Sequence, residues 1–263
     1  MRRRIITPFM AVTVIAIAAT AVSLAYSRAW GYWIASGFLI ATGLGVAFIR
    51  MRYFCDATCR GPADRKCVAL TFDDGPDPNV TPHVLDTLRA EGIHATFFCI
   101  GERVRACPDL ARRIVQEGHL IGNHTDRHAW WTNFLFGGGL CQAIARAQET
   151  IRDATGQTPR YFRPPMGLTN PHLNAPLRKN GLVLIGWDVR TFDRRTRQPE
   201  ATIRRACAKI RNGSILLLHD GDVVPKTAVH IVKGIIDELR VRGFDIVRLD
   251  ALIDSPATNR DFT

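Results

Sequence analysis

Two adjacent carboxylates, Asp73 and Asp74, close an apolar run, Cys67-Val68-Ala69-Leu70-Thr71-Phe72, and Gly75-Pro76 breaks the chain directly after them. The run reads as a buried strand. A charge at its desolvated end must be paired, metal-bound or protonated. One carboxylate holding a metal, with its neighbour acting as a base, would account for both. His124 and His128 stand four residues apart, a spacing that one helical turn places on one face, within reach of a single cation. With Asp74 they make a two-histidine, one-carboxylate set that leaves positions open for water and substrate. Asp73 is then the base beside an acidified water. His219 follows the apolar Leu216-Leu217-Leu218 and, when charged, can protonate a leaving nitrogen. Asp193 is the first candidate to hold that imidazolium, and Asp188 the second. Arg163 is a candidate partner that orients Asp73. His83, His94, His119, His172 and His230 lie on predicted helices or strand starts and read as structural.

These residues need a scaffold that gathers them. From Cys67 onward, short apolar runs alternate with amphipathic segments. Strands are predicted at 67–72, 94–100, 118–122, 160–163, 182–188, 214–218 and 244–248. Helices are predicted at 81–91, 108–117, 141–155, 172–180, 199–211 and 226–241, with glycines near their ends. Such alternation implies parallel strands with helical crossovers, in a distorted (β/α) barrel of about seven parallel strands. In barrels of this kind, functional groups gather at the carboxyl ends of the strands. Five polar clusters fall there: Asp73-Asp74, residues 122–128, residues 162–167, residues 186–193 and His219-Asp220.

The N-terminal part is of another kind. The chain has 263 residues, of which 46% are apolar, and the first fifty are nearly all apolar or small. Two runs, 5–26 and 30–49, each hold about 20 residues, enough to cross a hydrocarbon core as a two-helix transmembrane hairpin. Arg2, Arg3 and Arg4 precede the first run, Arg50 and Arg52 follow the second, and the join carries only Arg28. That bias places both ends on the cytoplasmic face of an inner membrane, with a periplasmic domain as the alternative. The expected organisation is a hairpin over 1–52, a juxtamembrane linker over 53–65, a catalytic domain over 66–255 and a tail over 256–263. With 35 Lys and Arg against 24 Asp and Glu, the net charge is +11, yet the basic residues are dispersed. This excludes nucleic acid as a partner and suits membrane lipid. The seven cysteines are odd in number and form no close pair, which argues against a disulfide framework. Cys55 and Cys59 make a weak metal pattern at most.

The motifs taken in order resemble the polysaccharide deacetylase family, carbohydrate esterase family four. Thr71-Phe72-Asp73-Asp74-Gly75-Pro76 is similar to the family's first motif, and His124-Thr125-Asp126-Arg127-His128 to its second. Arg163-Pro164-Pro165 resembles the third, and Leu217-Leu218-His219 the fifth. The resemblance covers 66–250 and implies a distorted barrel, a divalent metal, most often Zn2+, and hydrolysis of an N-acyl group on an amino sugar. It implies Asp73 as base, Asp74, His124 and His128 as metal ligands, and His219 as acid. The backbone N–H of Met166 would help bind the oxyanion. Three departures bear on specificity. Met166 stands where the family often has Tyr. Arg190 and Arg194 stand around Asp193 where an acidic residue and a Trp are usual, although Trp187 is near. An Arg in place of an acid points to an anionic substrate such as a sugar phosphate. Third, residues 129–139 are aromatic and end in glycines, as a mobile lip touching membrane or a lipid tail would be.

The leading expectation is therefore a membrane-anchored, metal-dependent hydrolase that removes an acetyl or formyl group from an amino sugar, with a lipid-linked sugar as substrate. The alternatives are a periplasm-facing deacetylase of peptidoglycan or exported polysaccharide, and a non-catalytic membrane-bound glycan-binding protein.

Overall fold

A computed structural model of the chain describes residues 7–26, 28–129, 131 and 138–254. Two apolar helices come first, α1 (Pro8–Tyr26) and α2 (Arg28–Ala47). They are followed by β1 (Ala57–Thr58), β2 (Cys67–Asp73), α3 (Thr81–Ala90), β3 (Thr96–Cys99), α4 (Gly101–Ala106), α5 (Pro108–Gln116) and β4 (Leu120–Asn123). Then come α6 (Gly138–Thr155), β5 (Tyr161–Phe162), α7 (Asn174–Lys179), β6 (Val183–Ile185), β7 (Val189–Arg190) and α8 (Pro199–Cys207). The chain closes with β8 (Ile215–His219), α9 (Pro225–Val241), β9 (Asp245–Ile246) and α10 (Leu249–Ile253).

The nine strands form one sheet in the order β1-β6-β5-β4-β3-β2-β8-β7, with β9 beside β2, and every strand pair is parallel. The single strand expected over 182–188 is shorter, and the chain continues into β7 on the far side of the sheet. Gly186, Trp187 and Asp188 alone carry it from β6 near one edge to β7 at the other. Three residues span about 10 Å, so the sheet has to curl until its edges approach. This is a distorted barrel.

Strand β2 is the axis, with all seven residues buried. Its alternation separates two cores. Val68, Leu70 and Phe72 pack in the larger cluster with the inward stripe of α9, including Ile235, Ile236 and Leu239. Cys67 and Ala69 join Phe98, Tyr161, Ile185 and Ile215 in a smaller one. Asp73 has the same parity as Cys67 and Ala69, and so falls on the side of that smaller cluster.

The segment 53–65, expected as a linker, is part of this architecture. Tyr53, Phe54, Cys55, Ala57 and Cys59 are buried in a third cluster with Leu140, Ile144, Phe162 and Leu184. Strand β1 lies within the segment and pairs with β6. The cause is local: the aromatic pair Tyr53-Phe54 and the small side chains of Cys55, Ala57 and Cys59 fill the gap beside β6, which would otherwise be an exposed edge. All seven cysteines are free thiols and five of them are buried. Burial, with a smaller contribution from Asp56, pushes the Cys55 thiol up to about 12, which suits a reduced core thiol.

Helices α1 and α2 pack on each other. Ala29–Ala47 is long and apolar enough to cross a membrane by length and composition, whereas Pro8–Ser23 is apolar but shorter. Trp30, Tyr32 and Trp33 project outward, exposed by 64–75%.

Candidate active site

The carboxyl ends of the strands bring the expected groups together. Asp73 closes β2 and lies in register with His219, the last residue of the neighbouring β8. Arg163, just past β5, is completely buried and reaches across to them. Its Nη1 donates to Asp73 Oδ1 at 2.7 Å and to Thr71 Oγ1 at 2.8 Å, and its Nη2 donates to the Gly186 carbonyl at 3.0 Å. The guanidinium is sandwiched by the Phe98 ring, 4.2 Å from its centroid, with Trp187 at 5.6 Å. So fixed, it orients the carboxylate, whose other oxygen lies 3.9 Å from His124 Nε2.

Asp74 sits at φ 73°, the left-handed turn that swings its side chain away from that of Asp73. Its Oδ1 lies 3.3 Å from His124 Nε2 and 3.1 Å from His128 Nε2. The ligand atoms of Asp74, His124 and His128 all fall within 4.8 Å of one another, and among the described residues no other such group of three was found. The spacing of the two histidines predicts a helical turn, but the structure uses an irregular loop. Thr125 and His128 adopt positive φ, 68° and 49°, and Asn123 Oδ1 accepts the Thr125 N–H at 2.9 Å. The Asn123 amide is itself held by the Ile144 carbonyl and Gln148, so α6 sets the shape of the loop.

The donor set suits a metal. The Arg163 carbonyl lies 2.7 Å from His124 Nδ1, which makes that nitrogen the N–H and leaves Nε2 a bare lone pair facing Asp74. Burial lowers the pKa of His124, but Asp73 and Asp74 outweigh it and the net shift is upward. Burial and then the nearby charge of His124 push His128 down to about 4. Asp74 is also buried, yet the hydrogen bond and charge of His124, with His128 and His219, hold its carboxyl well below the usual range. Two inward carboxylates therefore call for positive charge at one point, with two imidazole lone pairs available to share it.

On the other side, Asp193 Oδ1 lies 2.8 Å from His219 Nδ1, and Asp193 Oδ2 accepts the His219 backbone N–H at 2.8 Å. Burial opposes the charged imidazole, but the hydrogen bond and charge of Asp193, with Asp73 and Asp74, raise its pKa. If protonated His219 is the acid, activity falls as pH rises through that raised value. Asp193→Asn removes the supporting charge, so the alkaline limb of kcat/KM should move to lower pH. An unmoved limb in a pH–rate profile would separate Asp193 from the acid.

Met166 has φ 57° in a 3-10 turn, with its side chain about half exposed. The Trp187 indole edge lies close against Gly167, where a Cβ would stand 2.2 Å from it. Arg190 stacks over Phe192 at 4.9 Å and Trp187 at 6.0 Å. Asp188, the second choice beside His219, is elsewhere: it accepts from Ser214 Oγ at 2.9 Å and from the Ile215 N–H at 2.8 Å, at the start of β8. Of the aromatic stretch 129–139, Trp130 and 132–137 lie outside the described residues, and Trp131 is exposed.

Three contacts were not anticipated. Arg194 Nη1 pairs with Asp74 Oδ2 at 2.9 Å, occupying the oxygen that the histidines do not face. Arg103 Nη1 donates to the Asp74 carbonyl at 2.8 Å, holding the left-handed turn. Asp220, wholly buried beneath Gly75, accepts from Thr81 Oγ1 at 2.6 Å. Burial, with Asp74 and Asp73 nearby, pushes Asp220 up to about 7 against the Thr81 bond. The adjacency of Asp220 to His219 was the available signal. Nothing local marked Arg103 or Arg194 as partners of Asp74.

Comparison with known proteins agrees with this geometry. A family model described as polysaccharide deacetylase matches residues 60–185. The chain is 35% identical over 187 residues to the peptidoglycan-N-acetylglucosamine deacetylase of Listeria monocytogenes, covering 71% of this chain but only 39% of that protein. It is 36% identical to the chitooligosaccharide deacetylase of a Bradyrhizobium species, covering 71% of this chain and 90% of the relative. Its fold is similar to the crystal structure of a carbohydrate esterase family 4 pseudoenzyme from Bacillus anthracis, with TM-score 0.70 and 25% identity over 75% of this chain and 68% of that one.

Proposed function

This chain belongs to the polysaccharide deacetylase family, and we propose that it is a metal-dependent hydrolase removing an N-acyl group, acetyl or formyl, from an amino sugar. The observation that carries this is the Asp74, His124 and His128 group, lying between two oriented pairs, Arg163–Asp73 and Asp193–His219. A nitrogen-rich set with one carboxylate favours zinc. Bound there, the ion supplies Lewis acidity to a water and to the amide carbonyl. Asp73, aimed by Arg163, takes the proton from the attacking water. The Met166 N–H donates to the carbonyl oxygen as negative charge builds on it. His219, held by Asp193, gives its proton to the nitrogen as the C–N bond breaks. A free amine and a carboxylate leave. Trp187 and Arg190 offer a stacking wall and a cation to the sugar and its substituents.

The finer reading is a membrane-anchored enzyme acting on a lipid-linked amino sugar at the cytoplasmic face of the inner membrane. The apolar α1–α2 pair, the arginines that flank it and the outward Trp30, Tyr32 and Trp33 support it. The relatives' names favour a second reading, a polymeric glycan outside the cytoplasm. The test uses the full chain in detergent micelles, assaying amine release from N-acetylated chitooligosaccharide and from lipid-linked amino sugar. Chelation should abolish turnover and zinc should restore it. The lipid-linked substrate should show the higher kcat/KM. A preference for the oligosaccharide, with an active phosphatase fused after Thr263 reporting export, would establish the second reading. No metal-dependent amine release from either would leave a binding role.

A further inference from the structure

The C-terminal end of α2 is built into the loop that follows β5. A helix leaves its last four carbonyls without intrahelical donors. Thr169 supplies two of them: its N–H donates to the Val46 carbonyl at 3.1 Å and its Oγ1 to the Gly45 carbonyl at 3.0 Å. Thr169 is only 3% exposed. Gly45 also lets Tyr53 pack on this helix end, since a Cβ there would stand 2.2 Å from the Tyr53 ring. Helix α1 is fastened to the same place. The Phe9 N–H donates to the Tyr53 carbonyl at 3.0 Å, and the Phe9 ring packs on Phe54 with centroids 4.9 Å apart.

Residues just past α2 lean on the next loop as well. Ile49 lies against Gly186, where a Cβ would meet it at 3.2 Å. Arg50 Nη1 reaches the Asp188 carbonyl at 3.5 Å. The two loops touched are those that carry Met166 and Trp187. The first runs from Arg163, tied to Asp73, to Thr169, tied to α2. Between these anchors, Met166 and Gly167 both hold positive φ, 57° and 72°. A non-glycine residue in that region persists where the surrounding structure over-determines it, and here the two anchors do so.

We propose that the end of α2 is a positioning element of the active site and Thr169 a positioning residue, holding the 163–169 loop so that the Met166 N–H faces the reacting carbonyl. The consequence rests on the hydrolase reading above. The apolar hairpin is then more than a tether, because the geometry of catalysis depends on its docking.

The experiment compares Thr169→Val, Thr169→Ser and wild type as full chains in detergent micelles. It measures kcat and KM on N-acetylated chitooligosaccharide, zinc content, and hydrogen exchange of backbone amides. Thr169→Val keeps the shape and loses the donor to Gly45. Its kcat should fall roughly tenfold, since misplacement of about 1 Å can cost up to ~10²-fold, with KM and zinc content as in wild type. Exchange across 166–169 should quicken while 67–73 stays protected. Thr169→Ser restores the donor and should restore both. A wild-type kcat, or wild-type exchange across 166–169, in Thr169→Val would overturn the proposal. If wild type releases no amine at all, the hydrolase reading fails by itself, and the exchange comparison still decides whether Thr169 holds the loop.

Discussion

Asp73→Asn should lower kcat by about 10²–10⁴-fold, the usual contribution of a positioned general base, while KM and zinc content stay close to wild type. The substitution is nearly isosteric. An amide oxygen at the Oδ1 position still accepts from Arg163, which now holds Asp73 at 2.7 Å. The metal group is spared because its carboxylate is Asp74, turned away by its left-handed backbone. What disappears is a group able to take a proton from water. Amine release under saturating substrate, with elemental analysis of the same sample, separates the two carboxylates: Asp73→Asn loses turnover and keeps metal, whereas Asp74→Asn loses both. A rate within a few-fold of wild type would remove Asp73 as the base.

The second large effect concerns folding. Arg163 is wholly buried and joins Thr71, Asp73 and Gly186 from inside the curled sheet. Arg163→Met replaces much of its volume but none of its donors, stranding a buried carboxylate and a buried carbonyl. Breaking a buried pair from one side typically costs about 3–5 kcal/mol, and urea unfolding of the detergent-solubilised chain should show a loss of that order. The double variant Arg163→Met with Asp73→Asn should recover part of it, because the stranded charge is gone. A single variant that unfolds like wild type would mean that Asp73 is satisfied by water or by metal without the arginine. The two predictions are coupled: the residue that orients the base also ties β2 to the β5 and β6 ends, so a stability loss has to be subtracted before any rate is interpreted.

The relatives frame both expectations. The Bradyrhizobium chitooligosaccharide deacetylase is matched over most of its length, whereas the chain spans about 39% of the Listeria protein. The similarity in fold to a family 4 pseudoenzyme makes the tests on Asp73 and on metal content decisive between catalysis and glycan binding.

Much of this was legible in the chain itself. A six-residue run, Cys67 to Phe72, followed by two carboxylates, a histidine pair at 124 and 128, and an apolar strand ending in His219 are local patterns, and strand ends in a parallel α/β barrel converge whatever the intervening sequence. Their types and order were enough to single out candidate ligands and a candidate base before any distance was known. Other features had no local signal. Strands β1, β5, β7 and β9 have two residues each, too few to show a period. The choice between Asp188 and Asp193 for His219 depended on where a three-residue crossing placed each. The histidine loop is not a helical turn, because α6 holds Asn123 from a distance in sequence. The pairing of Arg194 with Asp74 and the docking of α2 on Thr169 join residues more than a hundred positions apart. Side-chain type and spacing determined which chemistry is available. The curl of the sheet, which decides which loops share a rim, determined which arginine meets which carboxylate, and placed the apolar hairpin against the loop that carries Met166.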